Sequence, residues 1–134
     1  MDAVEQLTDE QFIAVKSLFN KVQNLKCQLN WGTGKTAGSF SAHWPHLGKY
    51  SLFTVYSNGY LTINFGNFRD SNNQYELICF FKNQLIDKLN LTVPNDFEKR
   101  YPSYKAIDWC VKYKELEIIL DLVFEKYPET VDLL

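Results

Sequence analysis

Apolar residues in the first part of the chain recur at helical spacing. Phe12, Val15, Phe19 and Val22 stand three or four positions apart, with Leu18 and Leu25 widening the stripe. Thr8 precedes this run as an N-cap, and Gln11 three residues later completes a capping box. Leu7 and Phe12 flank the cap in the positions of a hydrophobic staple. The pattern predicts a helix from Thr8 to about Asn24, with the Phe12–Val22 stripe facing inward.

From Lys26 the period changes. Two strands are predicted over Lys26–Trp31 and Gly38–Trp44, separated by the glycine-rich turn Gly32-Thr33-Gly34-Lys35 and stopped by Pro45. A clearer pair follows at Tyr50–Tyr56 and Tyr60–Phe65, joined by Ser57-Asn58-Gly59, and Asn-Gly between alternating segments marks a hairpin. A two-residue loop would mix the two faces. A three-residue loop, with Gly59 in the left-handed region, pairs Tyr56 with Tyr60 and separates the faces cleanly. Phe53, Val55, Leu61, Ile63 and Phe65 then share one face. Tyr50, Leu52, Thr54, Tyr56, Tyr60, Thr62 and Asn64 share the other.

After Asp70 the helical period returns: Tyr75, Ile78, Phe81, Leu85 and Leu89 form a stripe that ends at Asn90. Pro94 and Pro102 mark an irregular connection carrying Phe97, Tyr101, Tyr104, Ile107 and Trp109, aromatic enough to pack down. A last helix is predicted over Tyr113–Tyr127, with Leu116, Ile119, Leu120 and Val123 inward and Pro128 just beyond it. The order α-β-β-β-β-α-α predicts an α+β fold in one domain. A single antiparallel four-stranded sheet carries the N-terminal helix and the two C-terminal helices on one face. The tyrosine-bearing face is then left outward.

Composition agrees with a globular domain: of 134 residues, 46% are hydrophobic and 22% charged. No apolar run approaches the roughly 20 residues that span a bilayer, so no membrane role is expected. The start, Met1-Asp2-Ala3-Val4-Glu5, is acidic where a signal peptide would be basic, which predicts a cytoplasmic location. Cys27, Cys79 and Cys110 form no C-x-x-C pair and read as buried small hydrophobes.

Motif chemistry is sparse. Gly32-Thr33-Gly34-Lys35-Thr36 resembles the end of a nucleotide-binding loop, but the required first glycine is replaced by Leu29 and no helix follows. His43 and His46 bracket Trp44-Pro45, with no third ligand at metal-binding spacing, so neither metal nor cofactor is expected. An enzyme with His43 and His46 in a pocket is kept as an alternative.

Charge is distributed unevenly. Residues 1–10 carry a balance of −4, residues 11–69 a balance of +6 with no carboxylate, and residues 70–134 a balance of −4. The absence of acids in the strand region disfavours paired-carboxylate and magnesium-dependent chemistry there. It also predicts an electropositive sheet on an acidic molecule of net charge −2. The leading expectation is a non-enzymatic interaction domain. It would use the outward sheet face and the glycine-rich turn for a protein partner or for homodimerisation. Tyr50, Tyr56, Tyr60, Trp31 and Trp44 would supply contact area, and Lys35 and Lys49 would attract an anionic partner. Lysines beside ring-bearing strands also fit single-stranded nucleic acid, the first alternative.

Overall fold

Thr8 opens helix α1 (Asp9–Asn24) as the sequence predicts. The Thr8 hydroxyl accepts from the Gln11 backbone N–H at 3.0 Å, and the Gln11 side chain accepts the Thr8 N–H at 3.1 Å. Thr8→Ala is expected to lower stability by about 1 kcal/mol in urea unfolding, because two orphan donors lose their reciprocal arrangement. The computed structural model describes residues 7–31, 39–47, 50–68 and 72–127.

Four strands follow α1: β1 (Gln28–Trp31), β2 (Ser39–His43), β3 (Phe53–Tyr56) and β4 (Leu61–Ile63), each antiparallel to the one before. Helix α2 (Asn72–Leu89) comes next. Asn90 ends it with φ +59°, the left-handed cap conformation that asparagine tolerates. The long connection is more regular than its composition suggests. It holds a 3-10 turn (Phe97–Lys99), a two-residue strand β5 (Ser103–Tyr104) on the free edge of β4, and the single helical turn α3 (Ala106–Trp109). A third 3-10 turn (Cys110–Lys112), after the one at Phe65–Phe68 that joins β4 to α2, leads into α4 (Tyr113–Lys126). The fold is α+β with the predicted element order, and β5 extends the four-stranded sheet.

Phe40, Ala42, Phe53, Val55, Leu61 and Ile63 alternate onto one sheet face and are buried. All three long helices cover that face. Phe19 of α1 meets Phe40 edge-on at 5.2 Å, Phe124 of α4 meets Trp44 at 5.1 Å, and Phe81 of α2 meets Phe65 at 6.4 Å. Leu77, Ile78, Phe81 and Leu85 of α2 and Leu116, Ile119, Leu120 and Val123 of α4 complete the core.

Helix α1 is rotated from its predicted orientation. Ala14, Leu18 and Val22 are fully buried, whereas Phe12 is 58% exposed. Contacts with α4 fix this rotation: Ser17 Oγ donates to Glu117 at 2.6 Å, and Lys21 pairs with Asp121 at 2.7 Å. Apolar residues occupy so much of the circumference of α1 that its pattern does not select one stripe.

The hairpin has the predicted three-residue loop. Thr54 faces Thr62, the Tyr56 N–H donates to Tyr60 O at 2.9 Å, and Gly59 has φ +90°. The turn is also pinned from outside. The Trp109 indole N–H donates to Gly59 O at 2.7 Å in a fully buried setting. A Cβ at Gly59 would lie 2.6 Å from Ala106 Cβ and 2.7 Å from Leu7 Cδ2. Only glycine fits both that backbone angle and that space.

Candidate contact face

The sheet face opposite the helices is built from hydroxyl and amide side chains. Ser41 and Thr54, neighbours across β2 and β3, share a hydrogen bond of 2.8 Å. Thr62 and Ser103, neighbours across β4 and β5, share one of 2.6 Å. The Asn64 amide donates to Thr54 Oγ1 at 3.2 Å and to Ser51 Oγ at 2.9 Å. The Asn67 amide donates to the Ser51 carbonyl at 2.9 Å, and the Tyr101 hydroxyl donates to Asn67 Oδ1 at 3.1 Å. One string of bonds thus runs from Ser41 through Thr54, Asn64, Ser51 and Asn67 to Tyr101.

The tyrosines are arranged differently from the sequence expectation. Tyr56 and Tyr60 are brought together at the hairpin end, half-buried and 37% exposed respectively. Tyr50 is not grouped with them. The Leu52 N–H donates to Ala42 O at 2.8 Å, and Phe53 is also paired with Ala42, so two residues oppose one. This bulge breaks the alternation. Leu52, expected on the outer face, is buried at 1% exposure, and Tyr50 lies 56% exposed ahead of the strand. Tyr101 takes up the far end instead, 48% exposed, its ring lying where a Gly66 side chain would be. Its sequence signal was indirect: a glycine in Asn64-Phe65-Gly66-Asn67 with no turn to require it.

The other predicted site residues separate. Trp44 is a core residue, 2% exposed, with its indole N–H donating to Leu25 O at 3.0 Å, so it offers no contact area. Trp31 ends β1 opposite Phe40. Lys35, Lys49 and the Gly32–Thr36 turn lie outside the described residues. Of the six cations in residues 11–69, Lys16 and Lys21 are on α1 and Lys26 follows it, while Lys21 is already paired with Asp121. Arg69 lies outside the described residues as well, so none of the six is on a described strand.

The chain matches no protein-family model, no curated protein and no solved structure. His46 packs edge-on against Phe124 at 5.3 Å, with Nε2 buried and without a hydrogen-bond partner among the described residues. Among the described residues, no three His, Cys, Asp or Glu side chains are grouped to hold a metal ion. A groove of about 480 Å³ lies between the start of α1 and the 110–112 turn, lined by Gln11, Ile107, Cys110 and Val111. Burial pushes the Cys110 thiol up to about 12 and the Cys27 thiol up to about 11, the latter against an opposing hydrogen bond from the His43 backbone. Both therefore stay protonated at neutral pH and lack the thiolate that nucleophilic chemistry needs. No helix among the described residues is long and apolar enough to cross a membrane.

Proposed function

We propose that this domain is a non-enzymatic interaction module and that the open sheet face is its contact surface for protein. The observation that supports this is the hydrogen-bonded string from Ser41 to Tyr101, with Tyr56 and Tyr60 at the opposite end. Tyrosine with serine, threonine and asparagine is the composition of adaptable protein-recognition surfaces: rings give area at low entropy cost, and hydroxyls and amides give hydrogen bonds. Thr54 and Asn64 are themselves buried, so they brace Ser41 and Ser51 from beneath, which reduces the ordering cost of association.

Nucleic acid receives less support, because phosphates need cations and, of the cations in residues 11–69, Lys16 and Lys21 lie on α1, with Lys21 paired to Asp121. The enzyme reading rests on His43 and His46, and the protonated thiols at Cys27 and Cys110 add no nucleophile to it.

The test is Thr62→Arg, which places a cation in the middle of the face. Used as bait in a lysate of the native host, the wild-type chain is expected to retain partners that the variant loses, with both proteins folded by circular dichroism. Retention of every partner by the variant would remove this reading.

A further inference from the structure

We infer that Asn58-Gly59 is a modification site that the folded turn keeps shut: the pair cyclises and deamidates when the hairpin end comes away from Leu7, Ala106 and Trp109. The residue types make the pair reactive. Attack of the Gly59 backbone nitrogen on Asn58 Cγ forms a five-membered succinimide, and glycine has no side chain to obstruct that approach. The bond that forms is N–Cγ and the bond that breaks is Cγ–Nδ2. The amide leaves as ammonia, carrying the proton that Gly59 N gives up. Water then adds to one of the two imide carbonyls and opens the ring to aspartate or to isoaspartate. Asn58 is exposed, so water has access.

The fold withholds both reacting groups. Gly59 is buried and its N–H donates to Tyr56 O at 2.8 Å, so the proton that must leave is held by a carbonyl and shielded from base. The Asn58 side chain is also engaged, its Oδ1 accepting from the Tyr60 N–H at 3.1 Å. Ring closure needs both groups released and realigned into a near-attack geometry. The turn cannot release them alone. Gly59 O accepts from the buried Trp109 indole at 2.7 Å, and the Leu7 and Ala106 side chains fill the space beside Gly59 Cα. Release therefore requires segments far apart in sequence to separate, and the rate of deamidation follows the population of that open form.

The two products differ in what the turn can hold. An aspartate at position 58 keeps a carboxylate oxygen for the Tyr60 N–H. Isoaspartate inserts a methylene into the main chain, and a loop set between the Tyr56–Tyr60 pair and the Ala106 side chain has no room for it. A chain that has opened and formed isoaspartate does not close again as before. The modification is thus a lasting record of opening.

Peptide mapping by mass spectrometry tests this on the full chain, incubated in mildly alkaline buffer with and without denaturing urea. Conversion at position 58 is expected to be at least tenfold slower in buffer alone, equivalent to about 1.4 kcal/mol of barrier. Trp109→Phe, shown to be folded by circular dichroism, is expected to deamidate at least tenfold faster than the folded wild type. Leu7→Ala gives a second variant should the first unfold. Equal rates for the folded and unfolded wild type overturn the inference. A protected wild type whose folded variants stay equally protected also overturns it, because the shield is then local to the turn and independent of Leu7, Ala106 and Trp109.

Discussion

Gly59→Ala is expected to destabilise the domain by about 3 kcal/mol and lower its melting temperature by about 10 °C. Two penalties combine. At φ +90° an alanine is strained by roughly 1–2 kcal/mol. Its methyl would also lie 2.6 Å from Ala106 Cβ and 2.7 Å from Leu7 Cδ2, an overpacking that costs roughly 1–3 kcal/mol where neighbours do not yield completely. A double-mutant cycle separates the two. Gly59→Ala with Ala106→Gly is expected to recover part of the steric loss and none of the backbone strain. Urea unfolding of the four proteins measures this. A single-variant loss under 0.5 kcal/mol would mean that the turn is not wedged between Leu7 and Ala106 as described.

Trp109→Ala is expected to cost about 4 kcal/mol, close to the whole stability of a marginal domain. The side chain is fully buried, and its removal opens a cavity beneath the hairpin turn. Trp109→Phe distinguishes packing from hydrogen bonding. Phenylalanine keeps much of the ring but leaves Gly59 O buried without its donor, a loss of about 2 kcal/mol. Equal losses for the two variants in chemical denaturation would show that the hydrogen bond alone holds the turn. A negligible loss for Trp109→Phe would show that shape alone does.

How much of this was legible in the sequence depended on the range of the interactions concerned. Thr8 and Gln11 cap α1, Ser57-Asn58-Gly59 set the hairpin register, Asn90 ends α2, and Leu116–Val123 repeat along α4. Each of these is decided by residues a few positions apart. The features that were missed are decided across the chain. β5 is two residues long and exists only because Ser103 meets Thr62 from 41 residues away. Trp44 reads as a contact-surface aromatic until Leu25 O and Phe124 are seen around it. The bulge at Leu52 needs no special residue, so nothing in the alternation of Tyr50–Tyr56 announces it, and it moves Leu52 into the core. The face was legible as tyrosine-bearing and outward. The cation count over residues 11–69 overstates its charge, because Lys16 and Lys21 fall in the predicted first helix and lie on α1.

The reach of β5 also orders the events of folding. Strands β1 to β4 pair with their neighbours in sequence, and a hairpin closes in about 1–10 µs. Ser103 and Trp109 arrive later, because their partners are 41 and 50 residues away and the closure entropy is lost before any contact is gained. In that interval the open edge of β4 presents Leu61 and Ile63 beside unpaired backbone groups, which is the pattern that recruits strands from other molecules. The short strand β5 covers that edge in the folded domain, and its loss is expected to raise the aggregated fraction at a given concentration.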